Sequence, residues 1–218
     1  MKSPAAQSKA DSNNEVCTIR MELLDSDPLI WREVEVPTSV TLKVLHDIIQ
    51  IVMDWFDYHL WEFTVGEQRF GPPMDEDWGT EPRKVAVKVR LRDVLKPHKT
   101  VIEYTYDFGD NWEVRLTVGN IRQGDANQFY PRLVRGEWAA PPEDCGGIPG
   151  FYELLDTLAD PTHPDHAQLS EHFDGYVPDL VDIPRMNFQL GRIANRRRAA
   201  QATAAKRKAQ TAVGTQDA

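Results

Sequence analysis

The chain has 218 residues, 41% hydrophobic and 27% charged, with a net charge of −9. That is enough for one ordinary domain with its own core, and the composition excludes a disordered or fibrous protein. No run approaches the ~20 apolar residues of a membrane helix, so no membrane partner is expected. Cys17 and Cys145 are the only cysteines, so no disulfide framework is implied and a reduced, cytoplasmic setting is the simpler expectation.

Residues 1–14 are small and polar, without the apolar run of a signal peptide, and are expected to be a disordered tail. Val16 to Leu24 alternates as a strand. Asp25-Ser26-Asp27-Pro28 is a turn signal. Ile30 to Val36 returns as a second strand, with Ile30, Arg32, Val34 and Val36 on one face. The two strands are expected to pair as a hairpin. Thr41 is placed to cap a helix over Leu42 to Met53, whose leucines, isoleucines and valines recur at helical spacing. His46, within that helix, reads as a capping or satisfied surface histidine.

Leu60 to Val65 and Lys84 to Val89 read as strands, separated by a loop carrying Asp75, Glu76, Asp77 and Glu81. Leu91 to Leu95 fits one helical turn. The strongest local signal is Thr100 to Val118. Ile102, Tyr104, Tyr106 and Phe108 alternate with polar residues, and after Gly109-Asp110-Asn111 the alternation resumes with Trp112, Val114, Leu116 and Val118. Period two puts each apolar set on one face, and a three-residue bulged turn joins the strands. Tyr130-Pro131 marks an irregular or edge segment.

The stretch Trp138-Ala139-Ala140-Pro141-Pro142-Glu143-Asp144-Cys145-Gly146-Gly147-Ile148-Pro149-Gly150 reads as a rigid, specially shaped loop. Helices are expected at Phe151 to Leu158, at Pro164 to Phe173, and from Pro184 onwards, the last carrying Met186, Phe188, Leu190 and Ile193. The fold class is α+β: a single domain whose mixed, mostly antiparallel sheet is built from hairpins and packed against a few helices. The domain spans 15–191, and 192–218 forms a basic C-terminal helix or tail. That tail carries Arg192, Arg196, Arg197, Arg198, Lys206, Arg207 and Lys208 against Asp217 alone, so the body is more acidic than the net charge suggests. The tail reads as a solvated helix end; contact with nucleic acid is the alternative.

These residues resemble the plasmid pRiA-four-b ORF-three-like family, found in plasmid, transposon-associated and chromosomal bacterial proteins. The resemblance rests on Ile30-Trp31-Arg32, Val36-Pro37, Leu45-His46, Ile49-Gln50, Trp55 and His59-Leu60. It continues through Tyr106-Asp107-Phe108-Gly109-Asp110-Asn111-Trp112, Pro141 to Gly147, Asp182 and Asn187. It implies an α+β domain without an agreed activity and with a weak link to mobile-element DNA biology. Members often carry a histidine where this chain has Val114, on the face of Trp112, so chemistry requiring that histidine is in doubt here.

The candidate site joins the two loops and comprises Asp107, Asp110, Glu143, Asp144, Cys145 and His59. Crowded carboxylates raise one another's proton affinity or recruit a cation. Oxygen ligands suit Mg²⁺, Mn²⁺ or Ca²⁺, and His59 with Cys145 would admit Zn²⁺. The bland account is that Asp107 and Asp110 satisfy turn N–H groups, Glu143 and Asp144 cap or pair, and Cys145 is a buried thiol. No GxSxG, P-loop or GxGxxG occurs. Three functions follow: an intracellular binding module using Trp55, Tyr58, Trp78 and Trp138 to recognise a protein or peptide, a DNA-associated accessory protein, or a metal-assisted hydrolase. The first is preferred, and an enzyme is not the favoured reading.

Overall fold

The computed structural model describes residues 14–73, 83–96 and 100–214, with only the backbone of 205 and 208–214. The N-terminal tail before Asn14, the acidic loop with Asp75, Glu76, Asp77 and Glu81, and Trp78 lie outside the described residues. Strands β1 (Glu15–Leu23), β2 (Trp31–Pro37), β3 (Trp61–Val65), β4 (Gln68–Gly71), β5 (Lys84–Val85), β6 (Thr100–Tyr106), β7 (Trp112–Gln123) and β8 (Arg132–Glu137) form one sheet. Its order is β5-β4-β3-β6-β7-β1-β2-β8. Every pairing is antiparallel except β4 with β5. The helices are α1 (Leu42–Met53), α2 (Leu91–Val94), α3 (Gly147–Ala159), α4 (His166–His172) and α5 (Ile183–Gly214). This is the single-domain α+β fold that the sequence implied.

Alternation decides which face of the sheet is covered. Cys17, Ile19, Met21 and Leu23 of β1 are buried together with Ile102, Tyr104 and Tyr106 of β6 and with Trp112, Val114, Leu116 and Val118 of β7. Glu103, Glu113 and Arg115, one residue out of phase, stay exposed. Against the buried face lies α1, with Leu42, Leu45, Ile48, Ile49 and Val52 fully buried. Each such side chain contributes roughly 1.5–3 kcal/mol. The Thr41 hydroxyl accepts the Val44 N–H at 3.3 Å, as the capping argument requires.

Several expectations need correction. The β6–β7 turn has five residues, Asp107 to Asn111, because Tyr106 pairs with Trp112. Positive φ falls on Asp107 and Asn111, both at 54°, and not on Gly109. The longer turn takes Phe108 off the apolar face and leaves it 48% exposed. His46 is not a surface residue: it is fully buried, because α1 packs against Trp61 and Tyr104 there. Lys84 to Val89 is a two-residue strand that closes into a 3₁₀ turn over Ala86–Lys88. The α3 helix begins four residues early, at Gly147, with Pro149 tolerated in its first turn. On α5, Met186, Leu190 and Ala194 are buried while Phe188 is 73% exposed. After Gly119 the chain completes β7 at Gln123 and then forms the edge strand β8, entered through a cis Tyr130-Pro131 bond.

Candidate functional site

The two motif loops meet. Gly146 N–H donates to Asp110 Oδ2 at 3.1 Å. Gly147, at φ +68°, presses so close that a Cβ there would lie 2.6 Å from the Asp110 carbonyl oxygen. Only glycine fits that backbone position against a second backbone. Glu143 is gripped from two sides: the Tyr106 hydroxyl donates to its Oε1, and so does the Phe56 N–H at 2.9 Å. Burial and then the bond to Glu143 push the Tyr106 phenol above its ordinary pKa. Asp107 Oδ1 accepts the Gly109 N–H at 2.9 Å, the turn-satisfying role considered for it.

His59, Asp107 and Asp144 converge, one ligand atom from each lying within 4.8 Å of the others. His59 Nε2 is 3.1 Å from Asp144 Oδ1 and 3.7 Å from Asp107 Oδ2, yet neither approach has hydrogen-bond direction. One imidazole nitrogen and two carboxylate oxygens are a donor set for Mn²⁺ or Zn²⁺. Cys145 does not join them. Burial, followed by the charges of Asp110 and Asp144, pushes its thiol up to about 12. The protonated thiol is a poor nucleophile, and its sulfur is not among the clustered donor atoms. Asp110 and Glu143 are spent on holding the loops.

A second such group, His46, Asp47 and Asp57, differs in one respect. Lys43 Nζ sits 2.8 Å from Asp47 and 3.2 Å from Asp57, so an ammonium already supplies the charge a metal would bring. His46 is further committed to Asp57 at 2.7 Å and to the Tyr104 hydroxyl at 2.8 Å. Burial first, then Lys43, pushes its pKa down to about 4, against the pull of Asp57.

The aromatic residues sort differently from expectation. Trp55 is buried, not displayed: it stacks 4.9 Å from Tyr106, and its Nε1–H donates to the Pro141 carbonyl at 3.0 Å. Trp138 is 37% exposed and Tyr58 74%. Phe56, missed in the sequence, is 65% exposed and stacks 5.7 Å from Tyr58. Leu60 and Phe108 are also exposed. The turn that carries Phe56 and Tyr58 is held by three successive N–H groups: Phe56 to Glu143, Asp57 to Gln50 Oε1 at 2.9 Å, and Tyr58 to Tyr106 Oη at 3.0 Å.

On α5, Arg192, Arg196, Arg198, Lys206 and Arg207 are exposed. Arg197 is half-buried on the Ser39 hydroxyl, and Arg198 lies 3.7 Å over the Phe129 ring. The side chain of Lys208 lies outside the described residues. No helix is long and apolar enough to cross a membrane, among the described residues.

Arg32 was placed on the core face by alternation, but its role was not foreseen. It is fully buried. Its Nε donates to Val52 O at 2.8 Å, and its Nη1 to Trp31 O at 2.8 Å and Glu137 O at 3.0 Å. Burial lowers its pKa to about 10. An arginine in the inward phase of a strand was the available sequence signal.

The eight-stranded, one-side-covered sheet with two interlocked polar loops defines an α+β domain of a distinct class. The chain belongs to the plasmid pRiA4b ORF-3-like protein family, whose sequence model matches residues 15–185. It is 35% identical over 160 residues to the uncharacterized protein y4hQ of Sinorhizobium fredii, covering 72% of this chain and 79% of that protein. It is also similar to the crystal structure of MM3350, a protein of unknown function from Methanosarcina mazei Go1. That likeness has a TM-score of 0.72 and 33% identity, covering 78% of this chain and 96% of the other. These relatives bring the fold and the family without an activity.

Proposed function

We propose that this protein is a binding module that captures a basic segment of another protein at the rim formed by Phe56, Tyr58, Leu60 and Phe108. One observation carries the reading: two large aromatic rings are held out in solvent on a turn whose backbone is fastened to three different side chains. Exposed aromatics on a fixed backbone lose little conformational freedom on binding, which is the property of interface anchors. Charge supports the partner chosen. Asp57, Asp107, Asp110 and Asp144 border the same loops, and the chain is acidic overall. Lysine or arginine side chains gain from both the carboxylates and the ring faces. Selection from a random peptide library tests this. Wild-type protein should enrich sequences with Lys or Arg beside apolar residues, and the Phe56→Ala/Tyr58→Ala variant should lose them. Equal recovery by the variant would sink the reading.

A second reading is favoured by the convergence of His59, Asp107 and Asp144: a divalent-metal site, which a hydrolase would use to activate water. Metal analysis of the purified chain against His59→Ala decides it. No stoichiometric metal in the wild type, or the same content in both, ends that reading.

A further inference from the structure

A groove of about 500 Å³ runs between the start of α1 and the middle of α5. Val40 and Val44 wall it on one side, Ile193, Ala200 and Ala204 on the other, and apolar atoms make most of its surface. The α5 residues recur at helical spacing, so the groove follows that helix over residues 193–204, roughly 16 Å. Ala200 and Ala204 present only methyl groups, which lets another backbone come close. Residues 199–204 are exposed, so the body of the protein leaves this stretch uncovered although α5 continues to Gly214. A helical section without tertiary cover is marginal in water, and a second helix laid along it would supply the cover.

The charge of the groove runs against that of the chain. Arg90, Arg196 and Arg197 line it, and the single carboxylate among the lining residues, Asp47, is already held by Lys43 Nζ at 2.8 Å. The chain carries −9 overall, so an excess of cations is not a general property of its surface. Two of the guanidinium groups are anchored at the entry to α1. Arg197 Nη2 donates to the Ser39 hydroxyl at 2.8 Å, and Arg90 Nη1 donates to the Ser39 carbonyl at 3.2 Å. The first turn of α1 carries no acidic residue, so its positive end adds to the same field.

We infer that the α1–α5 groove is a docking site for an acidic amphipathic helix of a partner protein. The apolar stripe of that helix lies on Val40, Val44, Ile193, Ala200 and Ala204, and carboxylates at the edge of the stripe meet Arg90 and Arg196. Shape and charge select this occupant together. A rod fills a long concave groove, whereas a flat lipid surface does not enter one. An apolar floor gives a phosphate backbone nothing to bind, but it matches the buried face of a helix. The site uses other residues and the opposite charge from the aromatic rim, so either can fail alone.

Fluorescence anisotropy with a labelled 21-residue peptide tests it. The peptide carries leucine at the a and d heptad positions and glutamate at e and g; its control carries glutamine for glutamate. The acidic peptide should bind and gain helicity, and the control should bind ~10-fold or more weakly. Arg196→Glu should weaken the acidic peptide by a similar factor. So should Ala200→Leu, which fills the groove and leaves every charge in place, and so should a chain ending at Ala199, which loses Ala200 and Ala204. Both substituted side chains are exposed, so the fold is kept. No binding of the acidic peptide up to about 1 mM would overturn the proposal. Undiminished binding by Ala200→Leu would also overturn it, by reducing the contact to attraction between charges. Phosphatidylserine vesicles that bind the chain where the peptide does not would overturn it too, by giving the arginines to a lipid surface.

Discussion

Acidification should destabilise this protein through one side chain, His46. A closed ring of hydrogen bonds fixes its protonation. Asp57 can only accept, so the imidazole proton sits on Nε2, and Nδ1 accepts from the Tyr104 hydroxyl. Gln50 completes the ring, donating Nε2–H to Tyr104 Oη at 3.0 Å and accepting the Asp57 N–H on Oε1. A second proton on Nδ1 would confront the Tyr104 hydroxyl and break the ring. Burial, the leading cause, holds the folded pKa down at about 4 against an ordinary 6.5. The unfolded chain thus takes up the proton more readily than the folded one. The stabilising contribution is complete above the unfolded value and is lost as pH falls through 6.5 towards 4. At about 1.4 kcal/mol per tenfold change in proton affinity, the loss near the folded pKa is roughly 3 kcal/mol. Urea unfolding of the wild type and His46→Gln between about pH 7 and about pH 4 isolates the term, since the carboxylates titrate in both. The wild type should lose roughly 3 kcal/mol more than the variant across this range. Parallel curves would refute the argument that a neutral, ring-bound imidazole is built into the core.

Three further outcomes follow from contacts already described. Gly147→Ala should cost about 2–4 kcal/mol in urea unfolding, from a left-handed backbone and a collision with the Asp110 carbonyl; a change below about 0.5 kcal/mol would mean the loops do not press together. Tyr106→Phe should cost about 1–3 kcal/mol and raise hydrogen exchange at the Tyr58 amide, because that N–H and Glu143 both lose the phenol. A chain ending at Ala199 should melt within about 2 °C of the full chain, since residues 199–204 are exposed; its affinity for duplex DNA against the full chain, across a salt series, tests the nucleic-acid alternative for Lys206, Arg207 and Lys208, and equal affinities would remove those three from it.

Strand faces were legible because period two is a local property. Val114 is 1% exposed and Trp112 1%, as alternation placed them, and even Arg32 fell on the correct face. What failed was whatever depended on partners distant in sequence. Trp55 sits in a turn, where an aromatic reads as exposed, but it is buried by Tyr106 and by a carbonyl 86 residues away. His46 was misread for the same reason: its partner Tyr104 lies 58 positions on. Phe108 failed for a local cause, since a turn two residues longer than expected ends the alternation before it. Phe56 was overlooked because the anchoring of its backbone by Glu143 leaves no trace in the neighbouring sequence.

The departure at Val114 bears on which chemistry the loop junction can support. With that position sealed in the core, the imidazole at the junction is His59, and an acid–base or metal role there falls to it together with Asp107 and Asp144. The capture reading depends instead on Phe56 and Tyr58, which precede His59 on the same fastened turn. The backbone bonds that hold the turn come from Glu143, Gln50 and Tyr106, none of which either test alters. Removing the two rings leaves the His59 cluster intact, and removing the imidazole leaves the rings in place. Although the two sites share one turn, a loss seen in one variant and absent from the other therefore assigns the function to rings or to imidazole without ambiguity.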